Sequence, residues 1–493
     1  MNYSFWQVQF LVIVLVLLFP SLAECQYVSN NSSSNLRLLD SNSKELPLTI
    51  TEAVYFALEN NRELKIAYLQ RILDKKQLAE TESQFNPTFT PQISVSSSNA
   101  QDGSSLSNNR NASLGASINW KMPTGGNISL TLQGQNQLSE NNSLSNRSDA
   151  NSLNQSINFT QPLLRGFGTQ INTLNIKKTR LAEKANLLNF VSTKSQIITN
   201  TILSYRNLLL AQERLKIEQI SVGNSKKDLE RLQALFEFGR ISKNDLVERQ
   251  ADIAQQEVNL VNTQSALEQA ITDLNKVLDL PVPKKLIAIE TPAPPASFNL
   301  PSYAEMLDLT LANNTAYLNA LNSVENANFG VIEARNQQQW DLNFNLSSGL
   351  NSATNSQDTS NLNSSFTLSR EFGNPSKDNS VDKSQISLQS SQLALENNRK
   401  NLEEELKTKI RNIEDTFRQI KLAQQARQLA ETKVTNAKER MRLSSNISMT
   451  DIINFEKSLV DAKNQELNAV INHLNSVTQM EQFLGITLSK WLK

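Results

Sequence analysis

Little in this chain is suited to chemistry. It holds one cysteine and one histidine. One cysteine excludes an internal disulfide and a multi-cysteine metal site. The single His473 excludes a clustered histidine ligand set, and neither a Gly-Lys-Ser/Thr phosphate loop nor a Ser-His-Asp arrangement is present. His473 falls on the last predicted helix among polar neighbours and is expected to be a solvated surface residue. Lys+Arg 48 and Asp+Glu 48 cancel, which argues against a broad nucleic-acid surface. Aromatics make up only 6% of the chain and glycines number 13, while Asn, Ser, Gln and Leu abound. That composition suits long helices and polar-faced strands better than a thick globular core. The expectation is a protein that is no enzyme, with no cofactor, no metal site and no nucleic-acid partner.

Long apolar runs are also scarce. Phe10 to Phe19 is unbroken, but its ten residues are too few to span a bilayer and suit the core of a signal peptide. Ser21 and Ala23 then place small residues at −3 and −1 of a cut after Ala23, so residues 1–23 read as a signal peptide. Residues 24–46 are polar and read as a disordered N-terminal segment. Leu22-Ala23-Glu24-Cys25 resembles a bacterial lipobox, although Glu24 departs from the small residue expected there. Cys25 is therefore either a lipidation site or a lone thiol. No later stretch reaches the ~18 apolar residues of a transmembrane helix. If the exported protein enters a membrane, it must do so as a barrel.

What is present is repetition. Phe236 to Leu246 returns as Arg442 to Ile452, with Ile447, Ser448, Thr450, Asp451 and Ile452 keeping the later positions. Ala57-Leu58-Glu59-Asn60-Asn61 is echoed by Thr310-Leu311-Ala312-Asn313-Asn314. The unit is too long for a solenoid and indicates a duplicated domain woven into one fold. The first repeat spans 47–280, a Pro-rich linker 281–301, the second repeat 302–487, and a tail 488–493.

Each repeat runs helix, strands, then a very long helical hairpin. In the first, Thr49 caps a helix with Glu52 completing a capping box, and the helix is expected to continue to about Ser83, before Pro87. Strict alternation follows. Leu114, Ala116, Ile118, Trp120 and Met122 share one face, and Ile128, Leu130 and Leu132 repeat this after the tight-turn sequence Pro123-Thr124-Gly125-Gly126. Strand segments are expected near 88–96, 112–122, 127–137 and 154–161, then 341–349 and 364–370. Such period-2 segments match membrane-barrel strands, with a soluble sandwich as the other reading. The Ser/Asn-rich stretches 101–110, 139–153 and 351–362 read as loops between strands.

From about Asn172 to Phe238 the chain has no Pro and one Gly, which predicts a helix of about 100 Å. The return helix carries Leu246, Ile253, Leu260, Leu267 and Leu274 seven apart, with Val247, Ala254 and Val261 beside them. Its repeat partner carries Ile453, Val460, Leu467 and Leu474, again seven apart. Such narrow stripes mean coiled-coil packing.

These features together resemble the TolC-type outer-membrane efflux proteins. Gln161-Pro162-Leu163-Leu164-Arg165-Gly166-Phe167-Gly168 is similar to that family's strand-to-helix junction. Phe238-Gly239-Arg240-Ile241-Ser242, followed by Asp245-Leu246, is similar to its hairpin tip. Leu278-Asp279-Leu280 and Leu484-Gly485-Ile486 sit where each half closes. The match covers about 47–487. Two places depart from the pattern: Ser445 stands where the first tip has Gly239, and Glu371-Phe372-Gly373 replaces a Pro-containing junction.

The resemblance implies a mostly α-helical protein with membrane β-structure: a homotrimer sharing one β-barrel in the outer-membrane lipid above a periplasmic α-helical tunnel. It implies a passive conduit in a tripartite efflux or type I secretion system, with a periplasmic adaptor (membrane fusion protein) and an inner-membrane pump as partners. The tips, Gly239, Arg240, Ile241 and Ser242 with Ser445, Asn446, Ile447 and Ser448, would dock the adaptor. Asp245 and Asp451 have two readings. As acids in the first turn of a helix they offset the N-terminal dipole for ~0.3–1 kcal/mol each. In a trimer they would put six carboxylates around the periplasmic aperture, as channels do to favour cations. Asn454 stands where a further acid is common, and Arg240 is a candidate ion-pair partner. The familiar plan has four strands per chain and twelve per trimer. The segments here suggest six and eighteen, the other reading being a hairpin at 112–137 that projects from a twelve-stranded barrel. The rival overall is a trimeric coiled-coil and β surface fibre or structural envelope protein.

Overall fold

The structure is a computed structural model and describes residues 45–102, 105–141, 146–280, 282–293, 300–354, 356–443 and 447–491. Cys25, the signal-peptide segment, Ser445 and Asn446 lie outside the described residues.

Local signals place the first elements. Strand β1 (Glu45–Leu48) takes in the end of the segment read as disordered. Thr49 and Glu52 then form the expected capping box at the start of helix α1 (Ile50–Asn60). The predicted single helix is in fact two. The chain breaks at Asn61, whose side chain caps α2 (Arg62–Glu82) by accepting from Leu64 N. The second half does the same between α5 (Tyr303–Asn313) and α6 (Thr315–Gln337), where Asn314 accepts from Tyr317 N. The repeated Asn-Asn is thus a repeated helix break. An Asn side chain competes with the helical backbone for the N–H groups of a new first turn.

Six strands follow in two groups: β2 (Thr88–Asp102), β3 (Ser105–Lys121), β4 (Asn127–Asn141) and β5 (Asn146–Pro162), then β7 (Asp341–Ala353) and β8 (Thr359–Ser369). They form one antiparallel sheet in the order β2-β3-β4-β5-β7-β8. The strands are longer than the alternating segments, because most of the Ser/Asn stretches read as loops continue the ladder. Backbone pairing needs no apolar face, and amides support it there: Asn136 donates to Asp149 at 3.1 Å and to Asn151 at 2.7 Å. Pro91 lies in β2, an end strand of the sheet, where a missing N–H interrupts least.

Two helical hairpins complete the chain: α3 (Leu174–Glu237) with α4 (Lys243–Leu278), and α7 (Ser380–Leu443) with α8 (Met449–Phe483). α3 and α7 have 64 residues each, about 96 Å of helix. The heptad residues Ile253 and Leu274 are buried, whereas Val247 and Val261 beside them are exposed. Near the sheet the helices stand in a row, α2-α3-α6-α7, with α2 and α7 at its ends.

Each half closes on its own small core. Leu48, Ala53, Phe56, Tyr205, Leu274 and Leu278 gather in the first, with β6 (Lys285–Ala288) parallel to β1. The Pro-rich linker therefore contains a strand. The Tyr205 hydroxyl donates to Leu48 O at 3.0 Å, and burial, with Glu290 next, pushes its pKa up to about 12. Met306, Leu402, Leu406, Met480 and Phe483 gather in the second, while the short α9 (Thr487–Trp491) packs Leu488 and Trp491 on Val54, Ile198 and Ile202 of the first half. Both cores seal against the helix break. Asp279, left-handed at φ 49°, accepts from Arg62 N, and Gly485, at φ 71°, lies against Asn313.

Candidate functional site

The sheet has two chemically distinct faces. Cross-strand pairing puts Phe89, Ile118, Leu130, Ile157, Ser348 and Leu362 in one row across all six strands. Trp120, Ile128, Phe159 and Leu346 form the next row on the same side. The opposite side carries Thr90, Ser117, Thr131, Ser156, Gly349 and Asn361, with Gln92, Gly115, Gln133, Asn154, Asn351 and Thr359 beyond. On that polar side the charged positions with described side chains lie at strand ends, Lys121 on β3 and Asp341 on β7. The apolar side is the open one: Ile93 is 77% and Leu114 65% exposed, while Ser113 on the polar side is 8%.

Aromatic side chains cluster where strands meet helices. Trp340 and Phe372 pack edge to face at 6.0 Å, and the Arg370 guanidinium lies 5.4 Å from each ring. Trp120 Nε1 donates to Phe85 O at 3.0 Å. Aromatic girdles at the rims of an apolar band are a property of membrane barrels. The Gln161–Gly168 segment forms the junction itself. Arg165 pairs with Asp341, and Leu163 N donates to Leu342 O, tying the halves together. Gly166 N donates to Asn336 Oδ1 at 2.9 Å.

At the far ends of the hairpins, Gly239 adopts φ 68° and turns the chain, and Ser242 caps α4. Asp245 Oδ2 accepts from Ser242 N at 2.9 Å and from its Oγ at 2.7 Å. Asp451 does the same with Ser448, at 3.3 and 2.7 Å. Both aspartates are thus capping-box acids. The two tips lie side by side: Thr450 Oγ1 donates to Glu248 at 2.7 Å. Arg240, the candidate ion-pair partner, has an exposed side chain beside this turn.

Just beyond the tips lies a cluster that reading the sequence missed. Arg249 is 1% exposed and makes ion pairs to Asp228 at 3.3 Å, Asp252 at 3.1 Å and Glu456 at 2.8 Å. Lys438 joins it through Asp228 at 3.1 Å and Glu456 at 2.6 Å. One network therefore links α3, α4, α7 and α8, with three acids and two bases. Burial raises the Asp252 carboxyl above the ordinary range, against the pull of Arg249. For Lys438, burial acts downward but is outweighed by Glu456 and Asp228, so its pKa is raised. One signal was available. Arg249 lies three residues after Leu246 and four before Ile253, the second core position of its heptad, where a charge is unusual.

His473 is not the surface residue expected. It is 1% exposed, with Nδ1 3.1 Å from Thr416 Oγ1 and its ring 5.6 Å from that of Phe417. Burial lowers its pKa. Its polar sequence neighbours face elsewhere on α8, so local polarity misled. Among the described residues, no group of three or more His, Cys, Asp or Glu side chains is placed to hold a metal ion, and no helix is long and apolar enough to cross a membrane.

Comparison with solved structures agrees with this architecture. The chain is similar to CusC, a protein whose crystal structures concern transmembrane channel formation, at TM-score 0.64 and 16% identity, over 88% of this chain and 92% of that one. It is similar to the CmeC outer membrane channel of Campylobacter jejuni, at 0.62 and 16%, over 89% and 86%. It is also similar to the outer membrane protein VceC of Vibrio cholerae, at 0.64 and 13%, over 88% and 96%. No family model matches the chain, and no curated protein does. The fold is that of the outer-membrane channels: a β domain on a helical tunnel segment, duplicated within one chain.

Proposed function

We propose that this chain is one protomer of an outer-membrane channel-tunnel, the passive conduit from periplasm to exterior in a tripartite efflux or type I secretion system. The observation that carries the reading is the two-faced sheet standing on a row of helices. An apolar face across six strands suits lipid, and a polar face with its charges at the strand ends suits a water-filled lumen.

One chain cannot complete such a wall. β2 and β8 end the sheet, and α2 and α7 end the helix row. An open sheet edge is not tolerated in lipid. Apolar side chains are exposed on both end helices, Ile66, Leu69 and Leu73 on α2, Ile386 and Leu393 on α7. Copies of the chain joined edge to edge, three in the resemblance, satisfy both. A surface fibre would need neither a lipid-like face nor strands set between paired helices.

The hairpin tips then form the periplasmic end. Gly239 to Ser242, with Ser445 to Ser448, face the adaptor, and Asp245 and Asp451 ring the aperture. The conduit performs no chemistry, so the energy comes from the inner-membrane pump. Membrane fractionation with conductance in planar bilayers tests the reading. An outer-membrane homotrimer that conducts ions is expected; a peripheral, non-conducting protein would overturn it.

A further inference from the structure

The number of strands sets the width of the exit. We propose that all six strands stand in the membrane wall, so that three copies close an eighteen-stranded barrel with β2 of one copy paired to β8 of the next. The proposal rests on the channel reading above and specifies the wall of that channel.

Three observations place the β3–β4 hairpin in the wall instead of outside it. First, the ladder is unbroken: β3 pairs with β2 from Thr88↔Asn119 to Asp102↔Ser105, and β4 pairs with β5 from Asn127↔Thr160 to Asn141↔Asn146. Second, the apolar row crosses the hairpin in phase, Phe89, Ile118, Leu130 and Ile157 in line. A slip of one residue would turn every side chain to the other face.

Third, the hairpin's turn is built into the junction with the helices. Gly168 N donates to Thr124 O at 3.0 Å, and Gln161 Nε2 to the same oxygen at 3.2 Å. A Cβ on Gly125, at φ 96°, would lie 2.2 Å from Gly166 O. A hairpin projecting from a narrower barrel would not seat its turn on the segment that leads into α3.

The arcs agree. Four helices about 8–10 Å apart span roughly 32–40 Å of wall. Six strands 4.8 Å apart and tilted about 40° span roughly 38 Å; four would span about 25 Å. The six-stranded sheet thus sits on its four-helix row without taper. Closure follows strand direction: β2 and β8 run oppositely, so the joint between copies is antiparallel like the five joints within the chain. With the same spacing and tilt, eighteen strands make a barrel about 36 Å across between backbones, against about 24 Å for twelve.

Thiol labelling of the trimer in membranes tests this, with the unsubstituted protein as background for the single native cysteine. Ser117→Cys and Ser129→Cys should react with a charged, water-soluble maleimide, while Ile118→Cys and Leu130→Cys should react only with a lipid-phase probe. Equal water-phase labelling at all four positions overturns the proposal. Electron cryo-microscopy of the trimer in nanodiscs should count eighteen strands. Deleting residues 105–141 should narrow the barrel by about a third. An outer-membrane trimer with twelve strands overturns this proposal alone, whereas a protein absent from the outer membrane overturns the channel reading and this one with it.

Discussion

Arg249 on α4 and Glu456 on α8 meet as an ion pair at 2.8 Å, across the two hairpins. Arg249 follows Leu246 by three residues, and Glu456 follows Ile453 by three. In the repeat Arg249 corresponds to Phe455, so the two hairpins place opposite charges one residue out of register, next to the tips. The network they anchor fastens one hairpin to the other where a channel of this kind would open.

Breaking that network should loosen the tips. Arg249→Met leaves Asp228, Asp252 and Glu456 with only Lys438 between them. Removing one partner of a buried ion pair costs about 3–5 kcal/mol. The expected result is a lower unfolding midpoint and a higher leak conductance. Adding Glu456→Gln should recover part of the loss, because the uncompensated acid is then gone. A double variant no more stable than Arg249→Met would show that packing, not charge, holds the hairpins.

The aperture reading and the capping reading of Asp245 and Asp451 separate cleanly. Asn at both positions keeps an acceptor for the Ser242 and Ser448 backbone groups but removes the charge. Ala removes both. Cation preference in single-channel recordings should fall in either double variant. Thermal stability should fall in the Ala variant, by roughly 0.3–1 kcal/mol per site, and less with Asn. Unchanged ion selectivity in both would leave the aspartates as helix caps only.

Two glycines of the junction should differ. Gly125 and Gly168 both have left-handed backbones, at φ 96° and 97°. A side chain at Gly168 meets nothing within 4 Å, whereas one at Gly125 strikes Gly166 O. Gly168→Ala should cost about 1–3 kcal/mol of backbone strain. Gly125→Ala should cost more, read as a lower temperature of barrel unfolding in a heat-modifiability gel. Equal shifts would mean that the β3–β4 turn does not bear on the junction.

His473 should make the assembly acid-sensitive. Burial lowers its pKa below the ordinary 6.5, so the folded state holds the neutral ring. The unfolded chain binds a proton more readily. The stability is therefore present above 6.5 and is lost as pH falls through the lower folded value. The groups facing it include Thr416, the Phe417 ring and the Ile413 backbone, whose hydrogen bond favours the protonated ring but is outweighed by burial. The unfolding midpoint should drop as pH falls below about 6.5, and less in His473→Gln. Parallel pH profiles in the two proteins would assign the acid response elsewhere.

The parts of this protein legible in its sequence are those set by near neighbours along the chain. Thr49 with Glu52 and Ser242 with Asp245 are capping boxes because the partners are three residues apart. Gly125 gives a turn because its backbone requires φ above zero. Alternation in 112–122 and seven-residue spacing from Leu246 to Leu274 follow from the geometry of one strand and one helix. Even the Asn-Asn echo carried its meaning locally, although reading 50–83 as one helix overlooked how strongly Asn61 caps a new first turn.

The tertiary structure decided whatever depends on residues far apart. Polar stretches such as 146–153 pair as strands because the neighbouring ladder extends past the apolar band. His473 is buried because α7 brings Thr416 and Phe417 over it. The Arg249 cluster draws on four helices, with Asp228 and Glu456 on opposite hairpins. A charge in a sequence is neutral evidence until its surroundings are known. Its meaning depends on how much water remains around it, and only the packing of distant segments determines that.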